Sequence, residues 1–166
     1  MVKQPPPAGL AEAERSYQAG RFEEARALLV ALSAAYPEDA ETAYRTASVH
    51  DRLGLEAEAV PYYERCLSGA ELSDSSRRGA LLGLGSTYRV LGRYEEAVRT
   101  LRRGAERYPD DGALRAFLAM ALYNTGGHHE ATTLLLRLLA ETSGDETVRA
   151  YRRAIVHYAD DLDATV

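Results

Sequence analysis

Few side chains in this sequence could do chemistry, and their spacing speaks against it. His128, His129 and Glu130 form the one cluster that resembles a metal-ligand set. Adjacent residues at a helix start point about 100° apart, and no second histidine lies four residues on, as a helical zinc site requires. The cluster therefore reads as part of a turn or of the packing, and no metal is expected. His50 reads as a packed side chain, and His157 has no companion. Cys66 is the only cysteine, so no internal disulfide can form. Without a His or Asn pattern to activate it, it reads as a small residue packed inside a helix rather than a reactive thiol. No phosphate-cradling glycine loop, nucleophile motif or His-Glu-x-x-His pattern occurs. The expectation is a non-enzyme with no catalytic residue and no cofactor.

Charge sets further bounds. The 166 residues carry a formal net charge of −5, unevenly spread. Residues 6–77 hold 13 acids and 7 bases, whereas residues 78–111 hold 5 acids and 7 arginines. Arg99, Arg102, Arg103 and Arg107 could form a nucleic-acid patch, but Glu95, Glu96 and Glu106 are interspersed among them. The acidic total and that interleaving point to a solvated, salt-bridged face, so no nucleic-acid partner is expected. No apolar run approaches the length of a membrane span. The segment Met1 to Gly9 is Pro-rich and lacks the apolar stretch of a signal peptide. A cytoplasmic protein that does not engage membranes is expected.

The elements that must position any site are repeated. Gly20-Arg21-Phe22-Glu23-Glu24-Ala25 returns as Gly92-Arg93-Tyr94-Glu95-Glu96-Ala97. Weaker copies are Gly54-Leu55-Glu56-Ala57-Glu58-Ala59 and Gly126-Gly127-His128-His129-Glu130-Ala131. The glycines lie 34, 38 and 34 residues apart, the period of a two-helix structural repeat. Apolar periodicity places helix pairs at about 9–36, 40–68, 74–108 and 112–142. Small residues at Ala13, Ala47, Gly85 and Ala119, and at Ala25, Ala59, Ala97 and Ala131, allow the two helices of each pair to approach closely. The glycines suit helix C-caps, and Pro37 and Pro109 stop the second helix. Asp74 or a neighbouring serine is expected to cap a longer first helix in the third pair. Residues 146–160 predict one more amphipathic helix, with Val148, Tyr151, Ile155 and Tyr158 on its buried face, covering the open end of the stack. That makes nine helices in an all-α fold. A lead (1–8) is expected to be disordered, and an acidic tail (161–166) to be solvated.

The third copy carries a nameable pattern. Leu81, Leu84-Gly85 and Tyr88 are followed by Ala97, Leu101 and Pro109 at the spacings of the tetratricopeptide repeat, with Leu81 in the place of its opening tryptophan. Over residues 6–145 the chain resembles a tetratricopeptide repeat (TPR) protein, most closely the small bacterial group 5. The resemblance implies a right-handed superhelix of four helix pairs plus the cap, with repeats at 6–39, 40–77, 78–111 and 112–145. It also implies that the first helices line a concave groove. Carried over place by place, that groove would hold Leu10, Glu14, Tyr17 and Gln18, then Tyr44, Ser48, Asp51 and Arg52. The third repeat would add Leu82, Ser86, Arg89 and Val90, and the fourth Ala116, Met120, Tyr123 and Asn124. Tyrosine, methionine and arginine suit partner binding, although some of these tyrosines could simply cover the groove wall. The carboxylate clamp of chaperone-docking relatives does not fit, because Leu10, Glu14, Tyr44, Ser48, Leu82 and Ser86 replace its lysine and asparagine set. Glu14 would repel such a ligand.

The functional expectation is a bacterial protein-interaction adaptor. A rigid groove would accept a helix or extended segment of a protein partner, with Arg52, Arg89 and Asp51 setting register. The alternative is a self-assembly module whose groove or end packs against another copy, making a homo-oligomer.

Overall fold

The computed structural model describes residues 7–69 and 72–165. Among the described residues there are ten helices and no strand. The first pair is α1 (Leu10–Gln18) with α2 (Phe22–Ala35), and the second is α3 (Ala40–Arg52) with α4 (Glu56–Ser68). The third is α5 (Asp74–Val90) with α6 (Tyr94–Arg107), and the fourth α7 (Gly112–Asn124) with α8 (His128–Thr142). Two short helices, α9 (Glu146–Ala150) and α10 (Arg152–Asp160), complete the chain. Each second helix packs on the first helix of its own pair and, in the first three pairs, on that of the next; α5 also lies between α3 and α7. This is the neighbour-to-neighbour contact of a helical repeat superhelix, in which no single central core exists.

Small side chains set how closely the helices approach. Ala13, Ala47, Gly85 and Ala119 in the first helices are buried, as are Ala25, Ala59, Ala97 and Ala131 in the second. At Gly85 the contact is tight enough to demand glycine. A β-carbon there would stand 2.4 Å from Leu101 Cγ, well inside van der Waals distance. Gly104 plays the same part between α6 and α7, where a β-carbon would meet Leu114 Cδ2 at 2.6 Å.

The turns inside the pairs share one geometry. Gly20, Gly54, Gly92 and Gly126 have φ of +75°, +72°, +75° and +83°, and the next residue's N–H bonds back into the helix. Arg21 N donates to Ser16 O at 2.9 Å and Gly127 N to Leu122 O at 2.8 Å, the closure that satisfies carbonyls left over at a helix end. Between pairs, Asp39 and Asp111 accept from the N–H groups of Thr42 (2.7 Å) and Leu114 (3.0 Å). The long helix α5 is capped by Ser73, which accepts from Ser76 N at 3.2 Å, rather than by Asp74.

Residues 1–6 of the expected lead lie outside the described residues, as do residues 70, 71 and 166. At the other end of the chain, the single helix expected over 146–160 is in fact two, so the described residues hold ten helices and not nine. The chain turns at Tyr151, whose N–H still bonds Thr147 O at 3.2 Å. Tyr151 and Tyr158, expected on the buried face, are 68% and 64% exposed. A stripe at i, i+3, i+7 and i+10 is buried only along one straight helix. With the axis broken at Tyr151, α10 instead brings the small Ala159 against α8, its carbonyl accepting from Thr133 Oγ1 at 3.1 Å. The pair α9–α10 packs on α8 without the broad contact to α7 that α5 makes.

Candidate partner-binding groove

The first helices bring a polar cleft together where α1, α3 and α5 converge. It measures about 440 Å³ and is lined by Tyr17, Ser48, Asp51, Arg52, Ser86 and Val90 with Glu56, Tyr63 and Thr87. A smaller recess of about 100 Å³ adjoins it through Tyr17 and Ser48, and adds Glu14, Tyr44 and Arg45. Eight of the expected groove residues thus meet: Tyr17, Ser48, Asp51, Arg52, Ser86 and Val90 in the cleft, and Glu14 and Tyr44 beside it. Helical spacing explains why. Ser48, Asp51 and Arg52 lie three and four residues apart on α3, so they share one face, and Ser86 and Val90 do so on α5.

The floor of the cleft is a hydroxyl–carboxylate network. Asp51 Oδ2 accepts from the Tyr63 hydroxyl at 2.9 Å, and Oδ1 accepts from Thr87 Oγ1 at 2.7 Å. Burial raises the Asp51 carboxyl above the ordinary aspartate range, although both hydroxyls act to lower it. Burial, with the Asp51 charge second, also drives the Tyr63 phenol far upward, so it remains a donor. Asp51 therefore ties α3 to α4 and α5, and both its oxygens are engaged within the chain. Arg52 likewise has a neighbour of its own, with its guanidinium 5.1 Å from the centre of the Phe22 ring. Arg45 pairs with Glu14 at 3.3 Å.

The remaining expected residues lie elsewhere. Leu82 and Arg89 are half-buried on α5 and line neither the cleft nor the recess. Met120, Tyr123 and Asn124 are exposed on α7, and the Tyr123 ring leans on His128 at 4.9 Å between centroids. Three cleft residues were absent from the expectation: Glu56, Tyr63 and Thr87. Glu56 and Tyr63 belong to a second helix, which the place-by-place rule does not count. Tyr63 stands where Leu101 stands one repeat later, and Gly83 opposite it leaves room for its hydroxyl. A β-carbon at Gly83 would be 2.3 Å from that oxygen.

The other polar features are accounted for within the chain. Arg102 makes a two-pronged pair with Glu130 at 2.7 and 3.0 Å, and Arg107 reaches Asp74 at 3.3 Å. Arg102 and Arg107 are thus tied to neighbouring helices, and of the interspersed acids Glu96 pairs with Arg93. His128 and His129 are exposed at the start of α8. His50 is buried, its Nδ1 lies 2.7 Å from Thr46 O, and its ring stacks on Tyr62. Cys66 is buried, and that burial pushes its thiol up to about 12. Among the described residues no group of three or more His, Cys, Asp or Glu side chains could hold a metal ion, and no helix is long and apolar enough to cross a membrane.

Comparison with known proteins agrees with this geometry. A family model described as a tetratricopeptide repeat matches residues 40–162. Among solved structures, the chain is similar to MamA AMB-1, at 25% identity and a TM-score of 0.67 over 95% of this chain and 90% of that one. It is also similar to a Podosopora anserina putative kinesin light chain with nearly identical TPR-like repeats. There the identity is 23% and the TM-score 0.67, over 92% of this chain and 83% of that one. MamA from Desulfovibrio magneticus RS-1 matches at 17% identity and a TM-score of 0.62, over 93% and 94% of the two chains. No curated protein matches the chain.

Proposed function

Because the chain belongs to the tetratricopeptide repeat family, whose fold is a protein-interaction module, we propose that it is a non-catalytic adaptor holding a segment of a protein partner in its concave groove. The observation that carries this reading is the cleft of about 440 Å³ at the junction of α1, α3 and α5. Tyr17 and Tyr44 supply apolar area with a polar tip, and Ser48 and Ser86 offer hydrogen bonds to a passing main chain. Asp51 braces α3 against α4 and α5 at the floor of the cleft. Leu82, Arg89, Met120, Tyr123 and Asn124 would extend the contact towards the later repeats. We place this activity in the bacterial cytoplasm, a reading supported by the preference for arginine over lysine and by the family.

The test uses peptides selected from a random display library on the immobilised protein, with affinities measured by titration calorimetry. Tyr17→Ala and Tyr44→Ala should each weaken binding by about 1–3 kcal/mol, the range of aromatic anchors. Arg103→Ala, beside the separate cleft formed by Glu64, Leu67 and Arg99, should be near neutral. Normal binding by both tyrosine variants together with loss in Arg103→Ala would place the display surface on the other side and end the adaptor reading.

A further inference from the structure

Of the arginines that the fold half buries, one has no partner. Arg26, Arg93, Arg102 and Arg115 pair with Glu23, Glu96, Glu130 and Glu141. Arg65 bonds the Ser33 hydroxyl, and Arg77 donates to the carbonyls of Leu67 and Gly69. Arg89 is half-buried as they are, yet its guanidinium enters no ion pair among the described residues. Its Nε is sealed from water with nothing to donate to. The Nε atoms of Arg65 and Arg115 are sealed too, but other nitrogens of those two guanidiniums are bonded. A cation taken partly out of water without a partner carries a cost that an arriving carboxylate offsets.

The repeat places Arg89 on the groove. It stands three residues before Gly92, as Tyr17 and Asp51 stand before Gly20 and Gly54, and both of those line the cleft. Ser86, one turn earlier on α5, shares its face and lines the cleft as well. On the far side lies α7, which packs beside α5 and brings no acid. Its one charged residue is Arg115, already bonded to Glu141, and it exposes Met120 and Tyr123. On the near side Asp51 gives its two oxygens to Tyr63 and Thr87. Below, on α4, Glu64 accepts from the Tyr88 hydroxyl.

We infer that Arg89 is the charge anchor of the groove, and that it takes the side-chain carboxylate of an internal aspartate or glutamate in the partner segment. This rests on the adaptor reading and narrows it, because charge complementarity sets the class of partner. The guanidinium is a planar fork matched to a carboxylate. The groove continues on both sides of Arg89, through the cleft towards α1 and past Met120 and Tyr123 on α7. A segment crossing it has residues on both sides, so the carboxylate belongs to a side chain and not to a chain end. Asp51 and Glu56 line the cleft and repel further acids there. The fitting segment therefore carries its acid at Arg89 and no acid towards α1.

The probes are random dodecapeptides displayed with their C-terminal ends fused to the carrier, selected on the parent, on Arg89→Gln and on Arg89→Glu. Circular dichroism should show both variants folded, since Arg89 bonds nothing in the chain. The parent should enrich an acid at one position, Arg89→Gln should lose that preference, and Arg89→Glu should favour a basic residue there. In a synthetic copy of one selected peptide, changing the acid to its amide should weaken binding to the parent about tenfold. The same change should leave binding to Arg89→Gln unaltered, a coupling that a merely structural arginine would not show. Peptides that need Tyr17 and Tyr44 but show no preference for an acid would overturn this inference and leave the adaptor reading standing. So would equal amide penalties on parent and Arg89→Gln, or binding that requires a free C-terminal carboxylate. A parent that selects no peptide would sink both.

Discussion

Truncating one leucine at equivalent places in two successive repeats measures what the next helix contributes. Leu101 and Leu135 occupy the same position in α6 and α8, yet the first is fully buried and the second nearly half exposed. Leu101 fits against Gly85 on α5 so closely that not even a methyl group could be added there. Leu101→Ala therefore removes a buried side chain and leaves a void that its neighbours fill only in part. The expected cost is about 3–5 kcal/mol. At Leu135 roughly half of the side chain stays in water, so about half of a leucine's burial energy is at stake, or about 1 kcal/mol. The space left behind opens to solvent, so no cavity penalty is added. Urea and thermal unfolding, followed by circular dichroism, should separate the two. The midpoint temperature should fall by roughly 6–20 °C for Leu101→Ala and about 2–4 °C for Leu135→Ala. Equal losses would mean that Leu135 is covered in solution by α9 and α10, and the reasoning about the open end would be wrong.

Titrating groups supply two more expected outcomes. At Glu41, burial acts to raise the carboxyl, but bonds from Ser76 and Ser73 prevail and hold it below the usual glutamate range. Its oxygens accept from Ser73 N at 2.7 Å and Ser76 Oγ at 2.6 Å, tying the start of α3 to the start of α5. A depressed folded value means that its contribution is fully present above the unfolded glutamate value and is lost as pH falls through the folded one. Acid unfolding curves of Glu41→Gln should therefore be flatter than the parent's across and just below that range, and parallel curves would exclude the role. The Cys66 thiol, pushed up to about 12 and buried, should resist a disulfide reagent at neutral pH until urea unfolds the protein. Rapid labelling of the native chain would show that its site is open.

How much of this was legible beforehand differs between scaffold and site. The glycines at 20, 54, 92 and 126 announce four turns, because a left-handed helix end is nearly closed to other residues. The alanines at 25, 59, 97 and 131 announce the close crossings for an equally local reason. The groove was legible only in part. Spacing along one helix placed Ser48, Asp51 and Arg52 on a common face, but could not show that Tyr63 reaches the same carboxylate from another helix. Nor could it separate Tyr17, which lines the cleft, from Tyr123, which sits beyond it on α7.

The sequence by itself determined the repeat, the ends of the helices and the small residues at their crossings, since each depends on backbone sterics within a few positions. Tertiary structure alone decided three things: that Asp51 is a brace between helices, that the C-terminal segment breaks at Tyr151, and that Leu135 stays uncovered. Each turns on which surface another helix reaches, and helices of the same local pattern are buried or bare according to whether a neighbour packs over them. Leu101 and Leu135 show this directly, because one residue type at one repeat position is sealed where another first helix packs on and exposed where the chain turns away.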